Sequence, residues 1–173
     1  METMKTILKR QSVRSFTEEQ IKEYDLKTIL ESGYAAPIGG AKFDSMHFTV
    51  IQKSDFLKRF RKSAADFVQK PDANPLYGAP TFIVISSNAV NPVAYANAGC
   101  VIENMSLAAT ELGLGSVYIF GCIAALNADQ EILKELELPE GFTPISGIIL
   151  GYPSAPLQER EIPFERIATN YIK

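Results

Sequence analysis

The sequence predicts a three-layer domain of α/β or α+β class, and three observations carry the prediction. Helical and strand patterns alternate along the chain, with four or five short apolar strands among them. No internal repeat, low-complexity tract or clear linker interrupts that alternation. The chain has 173 residues, of which 46% are hydrophobic and 21% charged, enough for one domain with a substantial core.

The elements follow in order. Met4, Ile7 and Leu8 fall at helical spacing, so a short helix from about Lys5 is expected. Thr17 followed by Gln20 reads as a capping box. Leu26, Ile29 and Leu30 continue that helix until Gly33 and Pro37 end it. "MHFTVIQ" is β-branched and aromatic, hence a strand. Ser54 is placed to cap a helix carrying Phe56, Leu57, Phe60, Ala64 and Phe67. "TFIVISS" reads as a buried strand. From about Pro92 to Leu112 runs the longest helix, apolar around much of its circumference, which suits a central or interfacial position. "SVYIF" is a strand, Asn127 is placed to cap a surface helix over "ADQEILKELEL", and "PISGIILGY" is a buried strand. The proline-containing tail after it is expected to lie extended along a surface.

Several chemistries are excluded by what is missing. Seventeen basic and twenty acidic residues give a net charge of -3 with no basic tract, which argues against a general nucleic-acid binder. No apolar run spans a bilayer and no signal-peptide h-region opens the chain, so no membrane role is expected and the location is read as cytoplasmic. There is no GxSxG, no GxxxxGK[ST] and no HExxH. Cys100 and Cys122 have no metal-binding spacing and read as buried thiols. The single histidine, His47, lies in an apolar strand and reads as structural. The GxG of "ELGLGSVYI" runs helix, glycines, strand, the reverse of a dinucleotide fingerprint, so Gly113 is a helix stop and Gly115 a turn. No metal and no catalytic side chain is indicated. An enzyme built this way needs a cofactor to carry the chemistry.

One stretch stands out. "LKRQSVRSFTEEQ" sets Arg10, Ser12 and Arg14 two residues apart in a segment leaving a helix. Such spacing can turn three donors to one side, and arginine grips phosphate through paired N–H groups. Cations at a helix carboxyl end are also favoured by the macrodipole alone. The spacing leaves both readings open.

The stretch resembles the R-x-S-x-R/K signature that opens the nitroreductase family of flavin enzymes. "AAPIGGAKFDSMHFTVI", "AGCVIENMSLAATELGLGSVYI" and "GIILGYPSAPLQERE" are similar to later family segments, in the family's order and over nearly the whole chain. The resemblance implies an α+β fold, a three-layer α/β/α arrangement with a mixed, mostly antiparallel central sheet, as a single domain over 1–173. It implies a homodimer with FMN bound non-covalently at the interface. Arg10, Gln11 and Ser12 would hold the phosphate and ribityl chain, with Arg160 brought in by the tail. Arg14 would face the pyrimidine edge. Phe120 and Gly121 would present a backbone N–H to flavin N5. The turn Pro37, Ile38, Gly39, Gly40 and Ala41 would come from the partner subunit.

The implied activity is ping-pong hydride transfer from NADH or NADPH to the flavin and on to a small-molecule acceptor such as a nitroaromatic or quinone. The turn at 37–41 lacks the serine and asparagine frequent in the family, and the chain has no tryptophan. Those departures raise an alternative: a flavin-binding or flavin-handling protein of the same fold with little NAD(P)H turnover.

Overall fold

The computed structural model describes residues 3–163 and 165–173. Met1, Glu2 and Phe164, which the expectation of one domain over 1–173 includes, lie outside the described residues.

Four strands form one sheet: β1 (Met46–Ile51), β2 (Thr81–Ser87), β3 (Gly115–Ile119) and β4 (Thr143–Gly151). Their spatial order is β1-β2-β4-β3, and each neighbouring pair is antiparallel. Among the described residues the parallel component of the sheet is one bridge between Ser12 and Ser116. Among the described residues six α-helices accompany it: α1 (Thr3–Lys9), α2 (Glu23–Tyr34), α3 (Ser54–Phe67), α4 (Pro92–Glu111), α5 (Ile123–Ala128) and α6 (Gln130–Lys134).

The period of two along β2 makes the three layers. Phe82 and Val84 point to the face covered by α3, α5 and α6, where Phe60 stacks on Phe82 at 5.8 Å. Ile83 and Ile85 point to the other face, against Ile29 of α2 and Ile102 and Met105 of α4. β4 repeats the pattern with Ile149 on the first face and Ile148 and Leu150 on the second. Ile145 shares the second face with Ile148, which strict alternation from Ile148 would forbid. The register explains it: Ile85 opposes Ser146 and Ser86 opposes Pro144, so Ile145 is the extra residue of a bulge.

Local signals placed α4 well. Asn91 Oδ1 accepts from the Ala94 N–H, Pro92 starts the helix, and Gly113 at φ 77° ends it. Other caps differ from expectation. The helix expected after Thr17 starts only at Glu23, and Gln20 instead hydrogen-bonds the Thr81 hydroxyl and the Pro80 carbonyl. Ser54 is the first residue of α3, not its cap. Asn127 lies within α5 and donates to the Pro144 carbonyl, while Asp129 caps α6. Gly115 is a strand residue, not a turn. Cys122 is buried as expected, but Cys100 is exposed on α4. His47 is half-buried on β1, 3.5 Å from the Thr49 hydroxyl and edge-on to Phe142.

Among its described residues the tail after β4 has no regular element. It runs back past the opening stretch: Ser154 N–H bonds the Ser15 carbonyl and Arg160 N–H bonds the Leu8 carbonyl. Its last apolar residues are open to solvent, with Ile172 at 95% exposure.

Candidate functional site

The sheet order leaves β3 at an edge, and the site is built along it. Val13 N–H bonds the Ser116 carbonyl at 3.1 Å, so the opening stretch runs beside the start of β3. Val13 packs over Gly115, where a Cβ would come within 2.9 Å of its carbons. The Ser116 backbone therefore faces the outer edge, where the opening stretch pairs with it, and by antiparallel alternation so does the backbone of Tyr118. With Val13 turned inward, Ser12 and Arg14 are turned out and exposed.

Arg14 enters a cleft of about 300 Å³ on the α3/α5 side of the sheet. Phe120 and Gly121, the turn between β3 and α5, line the same cleft, as do Tyr77, Val117 and Cys122. The Arg14 guanidinium lies 5.9 Å from the centroid of the Tyr77 ring. Among the described residues it has no ion pair. Burial pushes the Cys122 thiol up to about 11, so it is a neutral wall residue at neutral pH.

Arg10 follows the carboxyl end of α1, and Arg160 binds that end. Arg160 donates through Nε to the Leu8 carbonyl at 3.1 Å and through Nη2 to the Ile7 carbonyl at 3.3 Å. These are the carbonyls a helix leaves unpaired, and the cation complements their partial negative charge. Arg10 follows α1 directly and its Nε lies 3.4 Å from Glu103 Oε1 of α4. Gln11, next in the chain, is half-buried and Ser12 is exposed. The two arginines of the opening stretch thus divide: Arg10 turns to α4, and Arg14 turns to the α3/α5 side.

Pro37, Ile38, Gly39 and Gly40 do not line the Arg14 cleft. They form a turn against the start of α4, where Gly39 N–H donates to Asn97 Oδ1 at 3.0 Å. Gly40 at φ 66° takes a left-handed conformation that suits glycine. Ile38 borders a separate apolar cavity of about 400 Å³ with Tyr34 and Phe48, whose rings stack at 5.5 Å. The sequence reading missed Tyr77, Asn97 and Glu103. Tyr77 lies in a proline- and glycine-bounded loop and adopts φ 51°, a left-handed conformation uncommon outside glycine. No local pattern marks Asn97 or Glu103, because each partner lies far away in the chain.

Among the described residues no cluster of histidine, cysteine, aspartate and glutamate could hold a metal ion, and no helix is long and apolar enough to cross a membrane.

The comparisons with known proteins agree with one another. The model of the family described as the nitroreductase family matches residues 7–152. A putative NADH dehydrogenase/NAD(P)H nitroreductase of Archaeoglobus fulgidus is 27% identical over 156 residues, covering 88% of this chain and 86% of the relative. An FMN reductase [NAD(P)H] of Bacillus subtilis is 27% identical over 173 residues, covering 88% of this chain and 66% of its own length. The chain thus spans about two thirds of that second relative. The structure of a nitroreductase with bound FMN from Bacteroides fragilis superposes with a TM-score of 0.83 at 30% identity, covering 99% of this chain and 100% of the other.

Proposed function

This chain belongs to the nitroreductase family, and on that premise we propose that it is an FMN-dependent NAD(P)H oxidoreductase. The observation that carries the reading is the convergence of Arg14 with the Phe120–Gly121 turn on one cleft beside the edge strand β3. The residues present suit FMN. A cation with no ion pair among the described residues faces a largely apolar cleft, which fits a ring that gains negative charge on reduction. Arg10 directly after α1 and Arg160 on the last carbonyls of α1 supply two further cations at this end, which suits a phosphate.

Arg10, Gln11, Ser12 and Arg160 would hold the phosphate and ribityl chain. Arg14 would hold the pyrimidine edge and stabilise charge that develops there. The Phe120–Gly121 turn would offer backbone N–H to the ring's N5 side. Bound FMN supplies the hydride chemistry, accepting from NADH or NADPH and passing two electrons to a nitroaromatic, quinone or similar acceptor. A shared cleft favours a ping-pong order, since donor and acceptor would occupy it in turn.

We infer a single domain over 1–173 that works as a homodimer. The support is apolar surface left open at the start of α4, with Val93 at 55% exposure, and along the tail. The turn Pro37, Ile38, Gly39 and Gly40 is held away from its own chain's cleft, which suits donation to the partner's flavin. Light scattering should then report twice the chain mass of 19.0 kDa. A cytoplasmic location accords with this chemistry.

One observation favours the second reading, a flavin-handling protein with little turnover: Arg10 is already engaged by Glu103. A single experiment separates the two. FMN-loaded protein is mixed with NADH or NADPH without oxygen, and the visible flavin band is followed. Rapid bleaching establishes the oxidoreductase. Bound flavin that stays oxidised with both donors establishes the alternative, and failure to bind FMN overturns both.

A further inference from the structure

Helix α3 carries a second feature beside the cleft. Lys58, Arg61 and Lys62 line a recess of about 370 Å³. Ala73 borders both this recess and the Arg14 cleft, so the two are contiguous around the loop that follows α3. Along the helix axis Lys62 and Lys58 lie about 3 Å and about 9 Å from the level of Ala64, which lines the cleft. The recess therefore neighbours the cleft through Ala73 and extends along α3 at the levels of Lys62 and Lys58.

Its charge runs against that of the molecule. The chain has a net charge of -3, yet the recess gathers three cations with one carboxylate, Asp66. The neighbouring cation, Arg59, shows what a structural charge on this helix looks like. It is held by Asp55 at 3.0 Å and by both oxygens of Glu135 at 2.6 and 2.7 Å. Among the described residues Lys58, Arg61 and Lys62 have no ion pair of this kind, and all three are exposed.

We propose that this recess takes the 2′-phosphate of the adenosine half of NADPH, and that Lys58, Arg61 and Lys62 make NADPH the preferred donor. The inference rests on the oxidoreductase reading above. A dihydronicotinamide ring in the Arg14 cleft leaves the rest of the dinucleotide to run outward over a neighbouring surface. The contiguous recess is such a surface, and it carries a charge suited to a terminal monophosphate. A dianionic phosphate needs several cations, and arginine adds a planar fork that matches its oxygens. The pyrophosphate, which NADH and NADPH share, would bring no preference between them.

The test uses FMN-loaded protein and two probes without nicotinamide, 2′,5′-ADP and 5′-AMP, titrated calorimetrically. Wild type should bind 2′,5′-ADP at least about tenfold tighter than 5′-AMP, the gain expected of a charge-assisted contact. Arg61→Ala with Lys62→Ala should abolish that difference, and Asp66→Asn should enlarge it. In steady-state assays the double variant should raise KM for NADPH about tenfold. It should leave NADH and reduced nicotinamide mononucleotide unchanged. Equal binding of the two probes overturns the proposal, as does an equal loss with NADH and NADPH, which would mark the pyrophosphate. If none of the three donors reduces the flavin while the probes are still discriminated, the oxidoreductase reading fails and the phosphate site stands.

Discussion

Val13 occupies the space that a side chain on Gly115 would need. A Cβ there would lie 2.9 Å from three carbons of Val13. The contact seats the opening stretch against β3 and so sets where Arg10, Ser12 and Arg14 begin. Gly115→Ala should cost about 1–3 kcal/mol, as overpacking does, and should also weaken FMN binding by shifting the stretch. Adding Val13→Gly removes the clash and should recover part of both losses, read as coupling in a double-mutant cycle by denaturant unfolding. Wild-type stability in Gly115→Ala would show that the stretch is not seated this way.

Arg10 has two candidate partners, Glu103 and a phosphate. If it holds phosphate, Arg10→Ala should weaken FMN binding by about ten- to a hundredfold, the worth of one charge-assisted hydrogen bond. Glu103→Gln should act in the opposite direction, because it frees the guanidinium from a carboxylate at 3.4 Å. Fluorescence titration with FMN reads both. Unchanged affinity in the two variants returns Arg10 to a surface pair with Glu103.

Arg14 differs from Arg10 in what it would face. Charge at the pyrimidine edge develops only on reduction, whereas a phosphate is charged in both states. Arg14→Gln should therefore lower the two-electron potential of bound FMN, since the reduced form loses a favourable partner. A loss of about 1.4 kcal/mol corresponds to a shift of about 30 mV. Arg10→Gln should leave the potential unchanged at saturating FMN. Spectroelectrochemical titration measures this, and a wild-type potential in Arg14→Gln would remove it from the ring.

Asp129 predicts an acid-side loss of stability. The Ser63 hydroxyl, at 2.6 Å, and then the Ile132 N–H hold its carboxyl below the usual carboxylate range. Because the folded value is the lower one, the stabilisation is complete above the unfolded value of about 3.9 and disappears as pH falls through the folded value. Asp129→Ala should cost about 1 kcal/mol at neutral pH through the lost α6 cap. Asp129→Asn should keep most of the cap and lose less stability than wild type as pH falls below about 4, the ordinary aspartate value. Parallel acid-unfolding slopes for wild type and Asp129→Asn would show that this carboxyl does not contribute.

The sequence by itself determined the elements whose signals are local. The four strands and the bounds of α4 follow from apolar period, from Asn91 and Pro92 at one end and from Gly113 at the other. It also determined the family, because motif order is a property of the chain alone. Only the tertiary structure decided which polar side chain meets which partner. Gln20 leaves its expected capping box for Thr81 and Pro80, Asn127 leaves its helix start for Pro144, and Arg160 crosses the molecule to cap α1. It also separated the turn at 37–41 from the cleft of Arg14 and joined Tyr77 to it. The physical reason is one of range. Backbone periodicity and glycine conformation are settled within a few residues, whereas a polar side chain is satisfied by whichever donor or acceptor the packed sheet and helices bring within hydrogen-bond reach.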